Sequence, residues 1–140
     1  MGRIINSDSS ARQRTILTRS ILHACRQYNA DHKTQNEKLD IAAFTYHALI
    51  AIEKSIDQTV SSWERRDFWV KADKFRMEWS WAGNYANKLC DALKPLNWAQ
   101  ISQVIMEIQR RLNNIKPTNQ DRIGEPWAGY WELHNKSKKP

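Results

Sequence analysis

Proton transfer and metal ligation near neutral pH fall first to histidine, and this chain has four, His23, His32, His47 and His134. None is paired with another at i,i+4, and no helix carries a Glu-x-x-His set, so zinc or di-iron ligation has no framework here. Cys25 and Cys90 belong to no CxxC spacing and are expected as buried, reduced thiols. Neither GxGxxG nor GxxxxGK occurs, which removes the phosphate-cradling loops, and no GxSxG supports a serine nucleophile. His23 and His47 lie in otherwise apolar helices and read as hydrogen-bonded interior side chains. The expectation is a protein that is not an enzyme, with no metal and no cofactor.

The chemistry that remains is non-covalent. Lys and Arg neutralise phosphates, and aromatic rings can stack on unpaired bases. Arg12, Arg14 and Arg19 recur near helical spacing, so at least two of them share a face. Arg65, Arg66, Lys74 and Arg76 form a second basic set, interleaved with Trp63, Trp69, Trp79 and Trp81, four of the seven tryptophans. If the two sets converge, they make a groove that follows a nucleic-acid backbone without reading bases. A separate group, Trp63, Trp81, Tyr85, Trp127 and Trp131, is the candidate surface for a protein partner.

The balance of charge agrees with a polyanionic partner. In 140 residues, 22 Lys and Arg stand against 15 Asp and Glu, a formal charge of +7. No run approaches the roughly eighteen apolar residues that span a membrane, and the N-terminus has no apolar signal core. The protein is expected to be cytoplasmic and to make no membrane contact.

Four helices must position these groups, because only four Gly and four Pro leave few turns. The first runs from about Ser10 to Asn29 after an arm anchored by Ile4 and Ile5. A broad apolar face predicts the second from about Glu37 to Ser62, with a tight turn near Ser61 to Glu64. The third spans Trp63 to Lys94 and is the helix around which the rest is organised. Phe68, Ala72, Phe75, Trp79, Ala82, Ala86, Leu89 and Leu93 hold one stripe along it. A second line, Trp63, Val70, Met77, Trp81 and Tyr85, lies opposite, so this helix is either central or meets a partner. Asn97 caps the fourth, with Gln100 completing a capping box, and Trp98, Ile101, Ile105, Ile108, Leu112 and Ile115 form its stripe before Pro117. Phe75, Trp79 and Leu89 are expected to be buried with Ile105 and Ile108.

The segments RQRTILTRS, WERRDFWVKADKFR and QRRLNN, in a short, basic, all-helical chain without catalytic motifs, resemble the small helical subunits of CRISPR effector complexes. The resemblance covers size and helical content over the whole chain, with no residue-by-residue motif. It implies an antiviral-defence protein that stacks along a ribonucleoprotein and touches its backbone without chemistry.

The fold expected is therefore an all-α, up-and-down bundle of four main helices over 1–117, with a docked aromatic tail over 118–140. The function expected is sequence-independent binding of RNA or single-stranded DNA beside other protein subunits. A homo-oligomer is compatible with this reading. The alternative is a helical protein–protein adaptor without nucleic-acid contact.

Overall fold

The computed structural model describes residues 7–115 and 124–138, and of residues 7–9, 137 and 138 the backbone alone. The described residues form an all-α bundle of six helices: α1 (Ser7–Tyr28), α2 (Gln35–Arg65), α3 (Trp69–Glu78), α4 (Ser80–Leu93), α5 (Trp98–Leu112) and α6 (Tyr130–Lys138). The N-terminal arm with Ile4 and Ile5, the stop at Pro117 and the 117/118 boundary lie outside the described residues.

The organising helix is α2, not the third predicted helix. It packs against α1, α3, α4 and α6, while α5 closes the bundle on α1 and α4. Thr34 starts it with a capping box: its hydroxyl accepts the Glu37 N–H at 3.1 Å, and its own N–H donates to Glu37 Oε1 at 3.3 Å. Thirty-one residues then run without a break. Ile41, Leu49 and Ile52 from α2 share one core with Ile21 of α1, Leu89 of α4 and Ile101, Ile105 and Ile108 of α5, all fully buried. The expected layer of Leu89, Ile105 and Ile108 is present, whereas Phe75 and Trp79 only half-bury against its edge.

Between α2 and α3 the chain turns later than predicted, at Arg66–Phe68. Phe68 N–H donates to Trp63 O at 2.9 Å and Asp67 N–H to Glu64 O at 3.0 Å, with Asp67 at φ 64°. This is a Schellman motif whose left-handed position holds Asp where Gly is usual. Aspartate tolerates that conformation better than most residues, which explains a turn without Gly or Pro.

The third predicted helix is two helices. At Trp79, φ −104° and ψ 6° leave the helical region, and the Ser80 hydroxyl donates to Met77 O at 3.0 Å. That carbonyl would otherwise accept the N–H four residues on, so the hydroxyl competes with the helix at the bend. The stripe Ala72, Ala82, Ala86, Leu89 and Leu93 stays buried across the break, but Phe68 faces solvent. A second left-handed turn, with Leu96 at φ 54° and Asn97 N–H on Ala92 O at 3.0 Å, leads into α5. Asn97 Oδ1 caps α5 by accepting the Gln100 N–H at 3.2 Å. The reciprocal half of the expected capping box is absent, because Asn97 N–H is already committed to Ala92.

Candidate functional site

The candidate residues fall into three groups that the fold treats differently. The first is a ladder of alternating cations and rings. Trp63 lies 4.9 Å from Phe75, Phe75 6.4 Å from Trp79, and Trp79 stacks on Trp81 at 5.7 Å. Lys71 sits over Trp63 at 4.4 Å, Arg14 over Phe75 at 5.1 Å and Trp79 at 5.9 Å, and Arg111 over Trp81 at 5.3 Å. Each ring face attracts its cation through the quadrupole. The interleaving of charge and aromatics in the sequence is thus largely consumed inside the molecule.

Arg14 belongs to this ladder and is a correction to the predicted surface. It is buried, donates to Ser55 Oγ at 2.9 Å and Thr59 Oγ1 at 3.4 Å, and burial pushes its guanidinium below the ordinary arginine range. Its role is to tie α1 to α2 under the α3–α4 bend. Arg76, also in the predicted set, stays at the surface but is engaged by carboxylates. It pairs with Glu64 Oε2 at 3.0 Å and Asp73 Oδ1 at 3.1 Å, and Glu64 raises its affinity for its proton.

The second group is the outer face of α1. Arg12 and Arg19 lie within about 20° of each other around the helix, with Arg14 roughly opposite. Arg26 continues their line by another seven residues, or about 10 Å of rise. Arg12 and Arg26 are exposed, and Arg19 is half-buried with an Nε that has no acceptor among the described residues. Among those residues Arg12, Arg19, Arg26, Arg65 and Arg66 form no ion pair with a carboxylate. Since Arg14 meets Ser55 and Thr59, α1 and α2 run antiparallel, and Arg65 and Arg66 share an end of the bundle with Arg12. The two predicted basic sets do not form one groove between α1 and α3, because the only α1 arginine turned towards α3 is the buried Arg14.

The third group is the corner made by α3. Ala72 is its one buried residue, Phe68 has no side-chain cap to offer, and Trp69 (55% exposed), Val70 (70%) and Met77 (75%) stand in solvent. Between α3 and the end of α2 lies an open cleft of about 530 Å³, lined by Trp63, Val70, Lys71, Lys74, Phe75 and Glu78. Trp63 and Phe75 form its aromatic wall, and Lys74 stands at its lip without a carboxylate partner among the described residues. Trp81 and Tyr85 are half-buried on α4, with Lys88 over Tyr85 at 5.4 Å and bridged to Glu107 at 3.6 Å, so they belong to the α4–α5 seam.

The tail docks on the bundle, and Trp127 is a core residue rather than a partner-binding one. It is 2% exposed, against His23 at 5.3 Å and beneath Lys33 at 5.8 Å. Tyr130 meets Phe44 edge-on at 5.2 Å, and Trp131 stacks on His134 at 5.7 Å. The anchor is Asp40, which the sequence reading missed. Its carboxylate accepts Gly129 N–H at 3.2 Å and Trp131 N–H at 2.9 Å, capping α6 from a different helix. His47 Nε2 and His134 Nδ1 meet at 3.0 Å, which ties α6 to α2 a second time.

No group of three His, Cys, Asp or Glu side chains among the described residues could hold a metal ion. None of the described helices is long and apolar enough to cross a membrane. Cys25 is fully buried, and burial pushes its thiol up to about 12, while Cys90 is half-exposed. No protein-family model, curated protein or solved structure matches this chain.

Proposed function

We propose that the protein binds the backbone of RNA or single-stranded DNA without sequence selectivity, as a non-catalytic subunit of a larger ribonucleoprotein. The observation that carries this reading is the set Arg12, Arg19, Arg26, Arg65 and Arg66, cations that no described carboxylate neutralises. Three of them align at seven-residue spacing on the outer face of α1. Arginines held apart from their own acids are available to phosphates, which release counterions on binding. Arg66 lies over the exposed Phe68 at 5.1 Å, so a cation and a ring are offered together at the end of α2. In this reading the chain acts as the small CRISPR subunits it resembles in size and helical content do, touching a nucleic-acid backbone within a ribonucleoprotein without doing chemistry.

Electrophoretic mobility shifts at two salt concentrations, with RNA and single-stranded DNA, test the proposal. The wild type should bind unrelated sequences about equally and lose affinity steeply with salt. Reversing Arg12, Arg19 and Arg26 to Glu should weaken binding for every sequence and flatten the salt slope by about three contacts' worth, each near 0.7 in log–log slope for single strands. Arg14→Lys is the contrasting variant: it should alter thermal stability and leave the slope alone. Absence of any shift at low salt for both polymers would remove the reading.

A further inference from the structure

We propose that the cleft between α3 and the end of α2 docks an amphipathic helix of a partner protein, one that carries carboxylates beside its apolar face. The cleft is distinct from the α1 arginine stripe, and the inference does not depend on nucleic-acid binding. Three observations choose the occupant.

First, the outermost line of α3 beside the cleft is aliphatic, with the less exposed rings of Phe68 and Trp69 at its N-terminal end. Val70 and Met77, the two most exposed large apolar side chains on α3, stand two turns apart on its outward line, opposite Ala72 and Phe75. Bases stack on rings and gain little from a valine and a methionine. A helix laid into a groove meets such a pair with its own residues at i, i+3 or i+4, and i+7. Methionine suits this role because its unbranched thioether adapts to the side chain it meets.

Second, the cleft is large enough for an anchor. Its open volume of about 530 Å³ is lined by Trp63 and Phe75, an aromatic wall against which one aromatic or aliphatic anchor of a partner can pack.

Third, the charge at the rim is specific. Lys71 and Lys74 border the cleft and pair with no carboxylate among the described residues, with Arg65 and Arg66 just beyond. Glu78 stands on the opposite end of α3 from Arg65 and Arg66, so the rim also has a polarity that can orient a bound helix. A second copy of this chain is disfavoured, because at +7 it brings like charge to a basic rim. A strand would find no sheet edge among the described residues.

The test uses the full chain and two synthetic helical peptides. They share one Leu- and Trp-bearing face, flanked by Glu in one and by Lys in the other. Fluorescence anisotropy should show the Glu peptide binding and the Lys peptide binding at least about tenfold more weakly. Met77→Glu, at a side chain already in solvent, should leave the melting temperature unchanged and weaken the Glu peptide about thirtyfold. Lys71→Glu with Lys74→Glu should reverse the preference between peptides. Arg12, Arg19 and Arg26 reversed to Glu should bind the Glu peptide as the wild type does, whatever happens to their nucleic-acid affinity. No peptide binding, equal binding of both peptides, or binding indifferent to Met77→Glu would overturn the proposal. Displacement of the peptide by single-stranded oligouridine in the Arg12/Arg19/Arg26 variant would overturn it in favour of a nucleic-acid cleft.

Discussion

Two stretches of this chain are rich in tryptophan, residues 63–81 and residues 127–131, and the fold handles them in opposite ways. In the tail Trp127 is buried, Tyr130 leans on Phe44 and Trp131 on His134. At the corner Trp69, Val70 and Met77 remain in water. Composition does not separate the two cases. The difference is a polar anchor: Asp40 takes two backbone N–H groups at the start of α6, so the tail's aromatics arrive at a fixed place. Helix α3 is tethered by a reverse turn, one buried alanine, the half-buried Phe75 and the surface Arg76–Glu64 ion pair, with no capping side chain at its N-terminus. An apolar segment is held against a bundle where its free backbone donors also find acceptors.

The comparison breaks most clearly at two tryptophans. Trp127→Ala should destabilise the protein by roughly 3–5 kcal/mol, as truncation of a large core aromatic does. Trp69→Ala should stay within about 0.5 kcal/mol. Urea midpoints for the two variants measure the contrast, and equal losses would erase the distinction between the segments. Asp40→Ala should come next, at about 1–3 kcal/mol, because it strands two amide donors. Hydrogen exchange should accelerate at residues 129–138 before it does in α3. If α6 keeps its protection, the aromatic contacts alone hold the tail.

Beneath both segments, Cys25 offers an alkaline probe of the shared core. Its folded pKa is raised to about 12, so the folded chain holds the thiol proton more tightly than the unfolded chain does. That contribution is fully present below about pH 9 and declines as pH rises towards 12, by up to about 1.4 kcal/mol per pH unit. Cys25→Ala should flatten this part of the stability–pH curve. In the native protein at neutral pH, a thiol reagent should label Cys90 and spare Cys25. The smallest effect is expected at the α2–α3 turn. Asp67→Gly should be nearly neutral, since Gly relieves the left-handed conformation while adding freedom to the unfolded chain, whereas Asp67→Val should lose about 1–2 kcal/mol. A neutral Asp67→Val would mean that the turn does not position α3.

Much of the bundle is legible along the chain. The stripe Ala72, Ala82, Ala86, Leu89 and Leu93 and the Ile101, Ile105, Ile108 line emerge from periodicity alone, because side chains three and four residues apart must share a face. The Asn97 cap is legible for a similar reason: its partner is three residues away. The turn at Asp67 and the bend at Trp79 are not, since each is made without Gly or Pro by local hydrogen bonds that compete with the helix. Nor could spacing reveal that Arg14 faces inwards. Arg12 and Arg14 are two residues apart, and which of them meets the core depends on what α2 and α3 place opposite.

Local order, helix content and net charge follow from the sequence by itself, because they depend on contacts within a turn or two and on a sum over residues. The fates of Arg14, Arg76, Trp127 and Val70 were decided only in three dimensions. Ser55 and Thr59 lie more than forty residues from Arg14, and Asp40 lies about ninety from the backbone it caps. Whether an arginine is free for phosphate, or a tryptophan for a partner, is set by side chains that only the tertiary fold brings within reach.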